Sequence, residues 1–378
     1  MSAQLKQLSQ DLISMARNLG ATSAEAVATE NKSLSIEVKN QSLEKLENSD
    51  TTELGIRVFV NSQSASVSIS STNKKALEEM VMRAIAMAKE ATPDEFSLPA
   101  DKNELLTNYD EKDFDLYDDI YNKQDVEALK RLTLEMENAA LEVKGVSQCE
   151  GAGFGSNLSD FHFTSSNGFS GGYKKTTFQS FCSAIAGSGS SMERDYSSEG
   201  RLFFNDLPSP ESIGKLAGTR AVGRLSPKRP PTGLYPVLFD ERISNSLVGH
   251  LMSAINGASI ARGSSWLRGN LGKKILPNNI TLSENPMRPR IAGSRPFDGE
   301  GLPTSQKNFV ENGILKHFVL DLRSARKLKL EPLGNAYRSL SSAPQPGVGN
   351  LELSSGNQTA MAMIKNMKQG LVVTSMIG

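Results

Sequence analysis

The sequence predicts an α+β protein: two α-β-α units with mostly antiparallel sheet, followed by a β-rich C-terminal domain containing a central helix. Three observations carry that expectation. Apolar residues recur every three or four positions at Leu5, Leu8, Leu12, Met15 and Leu19, and again at Leu77, Met80, Val81, Ala84, Ile85 and Ala88, the period of a helix with one buried face. Between those runs the period falls to two. Leu34, Ile36 and Val38 alternate with Ser35, Glu37 and Lys39, and Ile56, Val58, Val60, Val67 and Ile69 continue the pattern of half-buried strands. The same order of helix, strands and helix returns after residue 124.

Taken in order, the first unit occupies residues 1–92. Its opening helix stops at Gly20, a C′ residue, and its second helix ends near Pro93, because proline disfavours helix in the residue before it. Residues 93–123 carry Pro93, Pro99 and an acidic run of Asp110, Glu111, Asp113, Asp115, Asp118 and Asp119, which reads as a solvated linker. The second unit spans 124–226. Val126, Leu129, Leu132, Met136, Ala139 and Val143 mark its first helix, alternating segments run through Phe161, Phe163, Phe178 and Phe181, and Ser209-Pro210 starts a closing helix as N-cap and first residue. Two half-buried sheets of this kind can pair into one larger sheet.

Lys228-Arg229-Pro230-Pro231 is a stiff junction, and the third unit covers 232–378. It opens with an apolar strand at 235–239, then Asp240 caps a helix carrying Ile243, Leu247, Leu251 and Ile255. Asn312-Gly313 between KNFVE and ILKHFVLD is a hairpin signal. A short helix at 323–328, a strand at 351–353, a helix at 358–368 and a strand at 371–377 complete the reading.

Composition narrows the function. The 378 residues suggest two or three domains. With 42 basic and 42 acidic residues, no global field favours nucleic acid or an anionic membrane. MSAQLKQLSQ lacks the apolar core of a signal peptide, and no apolar run approaches the roughly 20 residues of a membrane span, so a cytoplasmic location is expected. Cys149 and Cys182 are too far apart for a CxxC motif and read as core thiols. GAGFGS at 151–156 lacks the Lys-Ser/Thr of a phosphate-binding loop and reads as small residues within a strand. No serine lies in G-x-S-x-G, and His162 and His317 read as structural.

Two stretches carry candidate chemistry. In NSLVGH, residues 245–250, Asn245 and His250 lie five apart, about 140° around a helix, so they do not converge without distortion at Gly249. His250 lies near the apolar stripe and reads as a hydrogen-bonded histidine beside the core. In FDGEG, Asp298 and Glu300 flank a glycine. They suit either a structural network, with Glu300 paired to Arg295 or Arg323, or a peptide-binding or subunit-interface role. Arg288, Arg290, Arg323 and Arg326 could each hold a substrate carboxylate bidentately.

GHL with SAINGASIARGSSWL at 249–267, GSRPFDGEGLPT at 293–304, DLRSARKL at 321–328 and GNAYR at 334–338 together resemble the TldD/TldE (PmbA) family, the TldE branch more closely. The resemblance covers nearly the whole chain. It implies a cytoplasmic peptidase of two related subunits, TldD carrying the zinc motif H-E-x-x-x-H and TldE lacking it. Laid on this chain, the motif's first histidine falls on Asn245, its glutamate on Ser246 and its last histidine on His250. The expectation is therefore a chain with no metal site of its own, the zinc lying in a TldD-type partner, and unfolded peptide as substrate. Arg295, Asp298, Glu300, Arg323 and Arg326 are the candidate peptide-binding or interface residues. An older family label invokes DNA gyrase, but the charge balance gives no support for DNA contact. The family pattern continues past residue 378, so the resemblance implies a C-terminally shortened chain. The other reading left open is a stand-alone peptide-binding or regulatory protein that self-associates as a homodimer.

Overall fold

The helix period at the start of the chain forms α1 (Ala3–Asn18), which buries Leu5, Leu12 and Ala16 and gives way to Gly20 at φ +99°, a conformation that glycine adopts without strain. The structure, a computed structural model, describes residues 3–376. Three antiparallel strands follow, β1 (Ser23–Lys39), β2 (Ser42–Val60) and β3 (Gln63–Ile69), then α2 (Lys74–Glu90), capped by the Asn73 side chain. The second unit repeats the order as α3 (Val126–Leu141), β4 (Val146–Ser165), β5 (Ser170–Ala186), β6 (Glu193–Arg201) and α4 (Pro210–Gly223), with Ser209 as the N-cap.

The two halves join edge to edge. β1 pairs antiparallel with β4 from Glu25 opposite Ser165 to Val38 opposite Ala152, giving one six-stranded sheet in the order β3-β2-β1-β4-β5-β6 among the described residues. Side-chain alternation along β1 then divides the molecule into layers. Ala24, Ala26 and Ala28 pack under α1 and α2, and Val38 packs with α3 and α4, while Val27 faces the opposite way, into a cluster with Phe163, Phe297 and Leu322. The third unit therefore docks on the sheet face that the helices leave open. GAGFGS lies within β4, and Cys149 and Cys182 are buried thiols under α3 and α4 with Sγ atoms 3.7 Å apart.

The segment 93–123 differs from the expected solvated linker. Ala100, Leu105, Phe114, Leu116 and Asp118 are buried, and several of its acids are caps. Asp94, Asp110 and Asp118 each accept an amide at the start of a short 3₁₀ turn, and the other Asp118 oxygen accepts the Phe204 amide at 2.9 Å. A run of aspartates looks the same in sequence whether it caps turns or faces water.

The third unit opens with β7 (Val237–Phe239), α5 (Glu241–Ala254) and α6 (Gly257–Arg262). β8 (Leu282–Glu284), β9 (Lys307–Glu311), β10 (Ile314–Leu315) and α7 (Leu322–Leu328) follow, then β11 (Ala336–Tyr337), β12 (Gln345–Pro346), β13 (Leu351–Leu353), α8 (Ala360–Met367) and β14 (Leu371–Val373). The Asn312-Gly313 hairpin forms, with φ +48° and +78° at those residues. The order β10-β9-β8-β13 makes a four-stranded sheet, and β14 lies parallel to β7. Strands here are two to five residues long, so this unit leans on helices more than its strand patterns suggest. The expected last strand ends at Val373 rather than 377, a residue outside those described. Among the described residues no helix is long and apolar enough to cross a membrane.

Candidate functional site

Helix α5 begins where Asp240 accepts the Arg242 amide at 3.1 Å. Its placement depends on the sheet. Asp195 of β6, 5% exposed, takes the Arg242 guanidinium at 2.9 Å on one oxygen and that of Arg224 at 2.7 Å on the other. Burial alone would raise the Asp195 carboxyl, but the Arg224 hydrogen bond, the Tyr196 amide and the two guanidinium charges outweigh it and hold it below its ordinary range.

Only the C-terminal turn of α5 enters the core, through Met252, Ala254 and Ile255, with Val248 and Leu251 partly buried against the same cluster. Leu247 is 46% exposed and His250 is exposed as well, contrary to the expected core-facing stripe and hydrogen-bonded histidine. The apolar face at those turns borders an open groove of about 640 Å³, lined by Leu247, His250, Leu251, Trp266, Ile280 and Leu353 among others. Trp266, 75% exposed, is the chain's one tryptophan and forms a wall of this groove.

The three motif positions do not converge. His250 lines the groove, Asn245 is exposed and lies outside its lining, and the Ser246 hydroxyl donates to the Ile243 carbonyl at 2.6 Å. A zinc site needs three or four well-placed donors. The residues here supply one imidazole, a neutral amide and a hydroxyl. Among the described residues no group of three or more His, Cys, Asp or Glu could hold a metal ion.

Asp298 and Glu300 sit elsewhere, sealed between the third unit and the sheet at 2% and 5% exposure. Asp298 accepts the amides of Glu300 at 2.9 Å and of Leu302 and Ala336 at 3.0 Å. Burial raises its carboxyl in spite of those amides. Glu300 accepts the Leu322 amide at 2.8 Å, at the start of α7. Its carboxyl is pushed well above the ordinary range, first by burial and then by the neighbouring Asp298, Asp321 and Glu25 carboxylates. Glu25 of β1 is held by Arg338 at 2.7 Å and Arg57 at 3.7 Å.

The expected pairing of Glu300 with Arg295 or Arg323 is not made. Arg295 reaches the fully buried Glu284 at 3.5 Å, an acid that also accepts Lys307 at 3.3 Å and the Asn335 amide at 2.7 Å. Arg323 pairs with Asp94 at 2.7 Å, and Arg326 donates to the carbonyls of Leu98 at 2.6 Å and Pro99 at 3.0 Å. These two arginines strap the 93–104 segment onto α7. Arg290 lies 3.6 Å over the Phe203 ring and pairs with Asp206 at 2.9 Å, and Arg288 lies 3.6 Å from Glu352. Lys175, held against the Ala292 carbonyl at 2.6 Å, is lowered to about 8 by burial and by Arg295.

Sequence reasoning singled out α5 and FDGEG but joined neither to its surroundings. The groove walls at Trp266, Ile280 and Leu353 come from three separate segments, and the one signal pointing to them was a lone tryptophan within the quoted SSWL.

Comparison with known proteins bears on this arrangement. Family models match residues 24–88 as PmbA/TldA metallopeptidase domain 1, 119–225 as the central domain and 232–378 as the C-terminal domain. A metalloprotease PmbA homolog of Haemophilus influenzae is 32% identical over 99% of this chain and 80% of its own length. A proposed modulator of DNA gyrase from Bacteroides thetaiotaomicron superposes with a TM-score of 0.90 at 23% identity, covering 100% of this chain and 83% of that one. TldE from Thermococcus kodakarensis does so at 0.84 and 20%, over 98% of this chain and 83% of its own. At those identities the two structures speak to the fold.

Proposed function

The chain belongs to the PmbA/TldD metallopeptidase family, and from that premise we propose that it is the non-catalytic, TldE-like subunit of a cytoplasmic zinc peptidase. Its partner is a TldD-type subunit carrying the metal, and the complex cleaves unfolded peptides. The observation that supports this reading is the donor set on α5. Where zinc chemistry needs two imidazoles and a carboxylate that activates water, this helix carries Asn245, Ser246 and His250. Asn245 is a poor zinc ligand, and Ser246 cannot act as the base.

The groove beside α5 retains what peptide binding asks for. It is open, mostly apolar and bordered by the Ser253, Ser259, Ser264 and Ser265 residues. Leu247 and Trp266 give it area to bury against a partner or an extended chain, and exposed Leu353 adds to that surface. In this reading the chain contributes a wall of the chamber rather than the cleaving group.

The test is light scattering after size exclusion on this chain mixed with the TldD-type subunit of the same organism. One-to-one stoichiometry is expected, with Leu247→Asp weakening the complex roughly tenfold while the chain itself stays folded. A chain that stays apart from a well-folded partner overturns the reading.

A further inference from the structure

The chain's two cysteines lie 33 positions apart in sequence and meet in the central unit. Cys149 of β4 stands opposite Ala184 of β5, and Cys182 of β5 stands opposite Ala152 of β4. On a regular strand, residues three apart point to opposite faces, so Cys149 and Ala152 would part and the two thiols with them. The β4 register shifts between Cys149 and Gly151, where Glu150 is the extra residue before Gly151 meets Ser183. That bulge returns Cys149 to the face that Ala152 and Cys182 share. Both thiols therefore lie in the core under α3 and α4, at 4% and 0% exposure, with their Sγ atoms 3.7 Å apart. Neither lines the α5 groove.

We propose that Cys149 and Cys182 form a paired modification site, which a hydroperoxide converts to an intramolecular disulfide that the fold accommodates and small thiols reverse. A disulfide needs its sulfurs at about 2.05 Å, so the strands must close a short gap. The bulge supplies the give, because its extra residue stands outside the ladder and lets β4 bend. β4 shifts register again between Val146 and Gln148, and Ser147 and Gln148 are exposed, so its first residues are the weakest part of the pairing and open to admit a small oxidant. Cys149 reacts first. The hydrogen bond with the Cys182 thiol lowers Cys149, whereas that same contact, and then burial, raises Cys182. The Cys149 sulfur attacks the peroxide, forming an S–O bond as the O–O bond breaks, and its thiol proton ends on the departing alkoxide or hydroxide. Cys182 then attacks the sulfenic sulfur. The S–S bond forms, the S–O bond breaks, and the hydroxyl leaves as water with the Cys182 proton, so two thiols lose two electrons to one peroxide. Two equivalents of a small thiol undo the bridge by exchange and leave as their own disulfide. In a reducing compartment such a bridge is transient, which suits a sensor. The inference stands on the central unit and is independent of the proposed catalytic partner.

The experiment is intact mass and peptide mapping of the full, folded chain exposed to hydrogen peroxide. The expected product is about 2 Da lighter, since one S–S bond replaces two S–H bonds. Non-reducing digestion should join the Cys149 and Cys182 peptides, a dithiol should separate them, and the bridged chain should melt no lower than the reduced one. Cys182→Ser should leave Cys149 as a sulfenic acid that a carbon nucleophile such as dimedone traps, whereas Cys149→Ser should slow oxidation of Cys182 roughly tenfold. Stepwise gain of oxygen with no joined peptide, a bridge between two chains, or a bridged chain that melts below the reduced one overturns the proposal. So do thiols that stay unreacted in the folded parent and couple only after denaturant is added.

Discussion

Glu300 is a carboxyl group kept from water by the joint between two units, with the Leu322 amide as its hydrogen-bond donor and three other acids as neighbours. In the unfolded chain it would ionise near about pH 4.3. Folded, it holds its proton well above that, so the folded state binds more protons and stability falls as pH rises from the ordinary carboxylate range through the folded value. Glu300→Gln keeps the carbonyl acceptor and removes the titration. It should melt higher than the parent at pH 8, with the two converging near pH 4, and thermal melts across that range test it. His162 works in the opposite sense. It is buried beside Ser170, and burial, aided by Lys6, lowers it to about 4. The unfolded histidine takes a proton below about pH 6.5, so stability is lost as pH falls from there towards 4, by roughly 3 kcal/mol. His162→Gln should flatten that acid limb. The sequence showed both residues and read His162 as structural, but their ionisation depends on neighbours brought from α1, β1 and the start of α7, which no local pattern names.

At the scale of the element, α5 illustrates how far periodicity reaches. Its start was readable because Asp240 precedes an apolar period, and a capping side chain leaves a local mark. What covers its face was not readable. The period marks Ile243, Leu247 and Leu251 as one apolar side, and the fold buries chiefly the last turn and leaves Leu247 beside a groove. The same limit applies to 93–123, where caps resemble solvated acids. The alternating strands were legible, because alternation specifies which face is buried, and the repeated element order allowed two sheets to join, but which strands pair across the joint was not. Asp195 ties α5 to the sheet through Arg242, and its other oxygen takes Arg224 from the end of α4. Asp195→Asn should destabilise the protein by about 2 kcal/mol and speed amide exchange over 241–254 more than in β1. The carboxylate's contribution is present above its unfolded value and lost as pH falls through its depressed folded one, so the variant and parent should converge below about pH 4.

The whole molecule has a helix-covered sheet on one side and, docked on the other, a unit that leaves several large apolar residues exposed. Leu234, Trp266 and Met361 are 103%, 75% and 74% exposed, and α8 buries no residue. On the proposed reading α5 bears the three motif positions, of which only His250 lines the groove, and binding and cleavage would fall to different subunits. The most direct measurement is therefore hydrolysis of an unfolded peptide, with zinc supplied, by this chain alone, by the TldD-type subunit alone and by the two together. Cleavage should require the zinc subunit, rise when this chain is added, and be absent from this chain alone. Zinc-dependent cleavage by this chain alone, abolished by His250→Ala, would contradict the account.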